Sequence, residues 1–140
     1  MNLLIDSNVV LDFLLERQPF FDDAKKVLAL RENPSNNLYV SASAVTDIHY
    51  IARRALKDND MVMNLLERLL SVVKIATVNS EQIHYAVNLH WKDFEDAVQY
   101  SVAKFNGFDG IVTRNMKGFQ EDGVKIFTPE EILNFAESNC

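Results

Sequence analysis

The chain has 140 residues, 48% of them hydrophobic and 24% charged, and carries a net charge of −6. Such a mix fits one soluble globular domain over 1–140 with a full core, and the negative total excludes a protein that coats nucleic acid through bulk positive charge. No run of eighteen apolar residues predicts a membrane span, no basic leader opens the chain, and the lone Cys140 cannot form an internal disulfide, so a reducing cytoplasm is expected.

Asn2–Ile5 is an apolar run that stops at Asp6, and it reads as a first buried strand. Ser7 and Asn8 follow, and a helix starts near Val9. Phe20–Arg31 carries Ala24, Val27, Leu28 and Leu30 at roughly helical spacing. Leu38–Ser41 is a second strand. Ala44–Lys57 repeats Val45, Ile48, Ala52 and Ala55 as a helix, and Asp60–Ser71 is almost all helix former. Val73–Val78 is a third strand. Ser80–His90 follows Asn79 as cap, with Gln82 at the capping-box position. His90 continues the stripe of Ile83, Ala86 and Val87, which predicts a packing role. Phe94–Phe105 repeats Ala97, Val98, Ser101, Val102 and Phe105. Gly110–Thr113 and Lys125–Phe127 are the last strands. The final helix opens with Thr128 as cap, Pro129 at the first helical position and Glu131 completing a box.

Strands alternating with helices predict a three-layer α/β/α sandwich around a central, mainly parallel five-stranded sheet. In such sheets ligands bind beyond the carboxyl ends of the strands, where the strand order reverses. Asp6 ends the first strand and Asn115 lies just past the fourth. Asp47 lies near the start of the helix after the second strand. Parallel pairing puts these three at one edge. Asp96 joins them if the N-terminus of its helix bends that way.

Taken singly, each acid has a structural role. Asp6 caps the next helix. Asp93 caps another, leaving Glu95 and Asp96 in its first turn, where acids favour the helix dipole. Asp47 lies on the flank of its helix's apolar stripe, a surface position. Taken together, acids from separate segments at one edge suit a hard divalent cation such as magnesium, which takes oxygen ligands. His49 and His84 are isolated, and neither a Gly-rich phosphate loop nor a G-x-S-x-G elbow is present. Arg53, Arg54 and Lys57, and separately Arg114 and Lys117, are either phosphate contacts or solvated surface.

Four stretches, LLIDSNVVLDFL, VSASAVTDIHYIA, DFEDAVQYSVA and GIVTRNMKGF, resemble in order the PIN domain, the small metal-dependent ribonuclease fold of VapC-type toxins and other RNA-processing proteins. The DFED and VTRN spacings are similar to a bacterial branch. The resemblance implies a magnesium- or manganese-dependent ribonuclease whose acids are Asp6, Asp47 and Asp96, all three as metal ligands. Asp93 would be an accessory acid, with Ser7 and Asn8 bracing Asp6 and Thr113 supplying a hydroxyl. It also implies a homodimer and a small antitoxin, with surfaces on the two helices over 44–71. Two departures stand out: the second acid is commonly Glu, and the fourth position, often Asp, is Asn115. They keep open a non-catalytic scaffold. A phosphatase of the haloacid dehalogenase type also follows a strand with D-x-D, but Asn8 stands at its second acid.

Overall fold

Leu3 and Ile5 pack to one side of the first strand and Leu4 to the other, and this alternation sets the layers. The computed structural model describes residues 1–119 and 123–138, so Cys140 lies outside the described residues. In order the elements are β1 (Asn2–Ile5), α1 (Ser7–Leu14), α2 (Phe21–Ala29), β2 (Asn37–Ser41), α3 (Ala42–Leu56), α4 (Asn59–Val72), β3 (Lys74–Ala76), α5 (Ser80–Leu89), α6 (Phe94–Asn106), β4 (Gly110–Val112), β5 (Lys125–Phe127) and α7 (Pro129–Ser138). Short 3₁₀ turns cover Leu30–Glu32 and Met116–Gly118.

All five strands are parallel, in the order β3-β2-β1-β4-β5. The order therefore reverses between β1 and β4, where Ile5 pairs with Val112. One core cluster joins Leu3, Ile5, Val40 and Val112 to residues of α1, α2, α3, α4 and α7. The other joins Leu4 and Ile111 to α5 and α6. This is the expected three-layer arrangement, and among the described residues no helix is long and apolar enough to cross a membrane.

Caps account for several boundaries. Asp6 caps α1, which starts at Ser7 rather than near Val9. Ser41 accepts from the Ala44 N–H, so α3 begins at Ala42, directly after the second strand and two residues before the expected Ala44. Both capping boxes form: Asn79 with Gln82, and Thr128 with Glu131. The third strand is shorter than Val73–Val78, because the Val73 N–H closes α4 onto the Leu69 carbonyl. The helix expected over Phe20–Arg31 ends at Ala29 and tightens into the 3₁₀ turn.

Two packing expectations fail. His90 is exposed, and it ends α5 in the left-handed region at φ 54°, so it leaves the apolar stripe. Phe105 is 41% exposed, although it meets Tyr85 edge-on. α6 is instead buried continuously from Asp96 to Ala103, since the sheet covers one side and α5 another. On α4, Val62, Leu66 and Leu69 face the core, while Met61 stays outside.

Candidate functional site

The period of two continues past the strand ends. Leu4 and Ile111 face α6, so Asp6 and Thr113, two positions on, face it as well. Both are buried, at the point where the strand order reverses. Asp6 is held by four donors. Its Oδ1 accepts from the Ser7 N–H at 2.8 Å and from Gln99 Nε2 at 3.3 Å. Its Oδ2 accepts from the Thr113 hydroxyl at 2.7 Å and from Asn8 Nδ2 at 3.4 Å. Asp6 is thus both the helix cap and a rigidly oriented carboxylate. Asn8, not an acid, occupies the second position of the D-x-D spacing.

The remaining expected residues fall around this carboxylate. Thr113 Oγ1 also accepts the Asn115 N–H at 3.0 Å, and Asn115 Nδ2 donates to Asp96 Oδ2 at 3.4 Å. Asp93 caps α6 by accepting the Asp96 N–H at 3.2 Å. Asp96 is buried beneath that cap. Its burial, reinforced by the Asp93, Asp6 and Glu95 charges, pushes its carboxyl up to about 7. The N-terminus of α6 therefore does bring Asp96 to the strand edge. Asp47 is exposed on α3, the flank position, and its charge reaches the group through Glu95.

Three participants went unrecognised in the sequence. Glu95 is raised by burial and then by Asp47, Asp6 and Asp93, while the Ser7 hydroxyl, 3.5 Å from Oε1, opposes that shift. Its signal was there, as the residue before Asp96 in a helix's first turn. Gln99 lies three residues after Asp96, on the same face of α6. Its Nε2 steadies Asp6, and its buried Oε1 has no hydrogen-bond partner among the described residues. Asp12, 1% exposed, accepts from Arg17 Nε at 2.9 Å and from Arg114 Nε at 2.6 Å. The Arg114 guanidinium also lies 3.9 Å from the centre of the Phe20 ring. Asp12 sits in an apolar run, where only its incongruity marked it.

The donor set is hard oxygen under like-charge repulsion, which fits a divalent cation such as magnesium or manganese. Asp6 and Asp96 would hold it, with Asp47 and Glu95 at the rim. Among the described residues, however, no three His, Cys, Asp or Glu side chains form a ready-made metal-holding group.

Gly118 leaves the space that Asp96 uses. A Cβ on it would overlap Asp96 Oδ2 and come within 3.0 Å of Asn115 Nδ2. Gly118→Ala is therefore expected to turn the Asp96 carboxylate away, weakening manganese affinity by about 10-fold or more. Titration calorimetry checks this, and an unchanged affinity would mean that the 116–118 turn yields instead.

The raised carboxyls also set a pH dependence. An acid raised from 3.8 in the unfolded chain to about 7 when folded binds more protons in the native state between those values. Its contribution is complete below about pH 4 and is lost as pH rises through 7. In EDTA, the melting temperature is expected to fall from pH 5 to 8 more steeply than in Asp96→Asn. Added manganese should offset the fall. Parallel slopes in the two proteins would exclude Asp96 as the source.

A PIN domain family model matches residues 2–117. The chain is 24% identical over 136 residues to ribonuclease VapC1 of Aquifex aeolicus, covering 92% of this chain and 91% of that protein. Its fold resembles VapBC2 of Rickettsia felis, solved bound to a promoter DNA fragment, with a TM-score of 0.73 and 17% identity over 91% of this chain and 98% of the other. VapC20 of Mycobacterium tuberculosis, a toxin that cleaves the sarcin-ricin loop, gives 0.64 and 16% over 86% and 92%. With Asp6 following β1 at the β1/β4 reversal and the family model spanning most of the sequence, the chain belongs to the PIN domain family.

Proposed function

We propose that the protein is a magnesium- or manganese-dependent ribonuclease that hydrolyses RNA phosphodiester bonds, and that it is the toxin of a toxin–antitoxin pair. The observation that carries this reading is the Asp6 carboxylate, pinned by four donors at the strand-order reversal and within the electrostatic reach of Asp96. The likeness to ribonuclease VapC1 supports RNA as substrate. The likeness to VapBC2 supports a small antitoxin as partner. A homodimer is part of the same proposal.

Asp6 and Asp96 would hold the cation. Its chemistry, when bound, is Lewis acidity: it makes water a nucleophile near neutral pH and offsets charge on phosphate oxygens. The chain's own part is orientation. Thr113 and the Ser7 N–H fix the two oxygens of Asp6, so little rearrangement accompanies the reaction. Asn115 steadies Asp96 without adding charge. The test is incubation of pure protein with varied single-stranded RNAs and either metal. Cleavage in the wild type that is absent from Asp6→Asn is expected, and no cleavage of any RNA would sink the proposal.

The exposed Asp47 and the uncharged Asn115 favour one second reading, a PIN-fold binding module without catalysis. It predicts no heat on titration with manganese. Heat that disappears in Asp96→Asn would eliminate it.

A further inference from the structure

Beside Asp96 lies an open cavity of about 500 Å³, lined by Lys92, Asp93 and Phe94 from the start of α6 and by Asn115, Lys117 and Gly118 from the turn after β4. Its lining carries both signs of charge: the acids Asp93 and Asp96, and two lysines. Lys92 and Lys117 are both exposed there, one from each wall. Among the described residues the salt bridges are those of Arg17 and Arg114 with Asp12, and neither lysine forms one there. Phe94 is 49% exposed although it opens a helix that is buried from Asp96 to Ala103. An aromatic side chain left open in the same cavity as two exposed lysines is a poor solution for stability and a good one for a stacked, charged ligand.

We propose that this cavity is a nucleotide subsite for single-stranded RNA. The base next to the cleaved linkage stacks on Phe94, and its phosphates lie against Lys92 and Lys117. The proposal rests on the ribonuclease reading and deepens it.

Charge explains why such a subsite is needed. A chain of net charge −6, with acids gathered at its reactive edge, repels a polyanion. Two lysines at the mouth of the same cavity supply local attraction without neutralising Asp6 or Asp96. Stacking favours single strands, because a base in a duplex has no free face. It also favours no one base, so this subsite places the strand and leaves sequence choice to other contacts.

The test measures binding apart from cleavage, using protein carrying Asp6→Asn and a fluorescent single-stranded RNA oligonucleotide. Adding Phe94→Leu should weaken binding by about 10-fold, and Phe94→Tyr should restore it. Lys92→Gln with Lys117→Gln should flatten the slope of log affinity against log salt by about 0.7 per lost phosphate contact. Both changes lie at exposed positions, and a melting curve confirms folding. Phe94→Leu that binds as tightly as its parent overturns the subsite, even if the wild type cleaves RNA. If no RNA is cleaved but the Phe94 and lysine effects persist, the ribonuclease reading fails and the subsite stands.

Discussion

Asp6→Asn should reduce RNA cleavage by about 100-fold or more while leaving the protein folded. The substitution keeps the size of the side chain and an oxygen that caps α1, since Asn is as good a cap as Asp. It costs one of two acceptor oxygens among four donors, the closest being the Thr113 hydroxyl at 2.7 Å. That loss is about 1–2 kcal/mol. An opposing gain follows, because Asp6 is one of the charges that raise Asp96. The two effects have opposite signs, so the net change in stability should be small. Single-turnover cleavage with manganese, calorimetric manganese titration and a melting curve together separate the roles. Cleavage that survives in a folded Asp6→Asn protein would reduce Asp6 to a helix cap.

Asp12→Ala should destabilise the protein by about 3 kcal/mol, within the range for breaking a buried ion pair. For a chain of this size that is a drop in melting temperature of about 10 °C. Asp12 lies in α1 and binds Arg114, which directly precedes Asn115. Arg114 also donates its N–H to Asn8 Oδ1, and Arg17 reaches the Asn8 carbonyl. The buried carboxylate thus ties α1 to the turn after β4. Its removal frees two partly exposed arginines, which regain water, and this keeps the cost from being larger. Asp12→Asn, retaining one acceptor, should lose less. Thermal melting checks both. A drop of under about 2 °C for Asp12→Ala would show that the arginines do not hold the turn.

Legibility followed the range of the interactions. Caps and boxes act within four residues, and Asn79, Gln82, Thr128 and Glu131 were readable from spacing. The end of β1 at Asp6 was readable because an apolar run met an acid. Strand length was less so, since Val73 serves α4 and not β3. Glu95 and Gln99 were legible as helix residues but not as neighbours of Asp6. Gln99 is separated from Asp6 by 93 positions, and no local pattern spans that distance. His90 failed for a related reason: the 3.6-residue stripe extrapolates a helix past the point where its backbone turns left-handed.

Helix and strand periods and caps are local properties, so the elements, their alternation and the acid at the end of the first strand are all written in the order of the residues. Which acids come together depends instead on how the strands and helices pack. Placing β4 directly beside β1 brings Thr113 to Asp6 across 107 positions. Packing α6 over that pair brings Asp96 in and leaves Asp47 at the rim. The raised carboxyl of Asp96 follows from that convergence. Repulsion and burial depend on distance and solvent access, which exist only once the strands have chosen their neighbours.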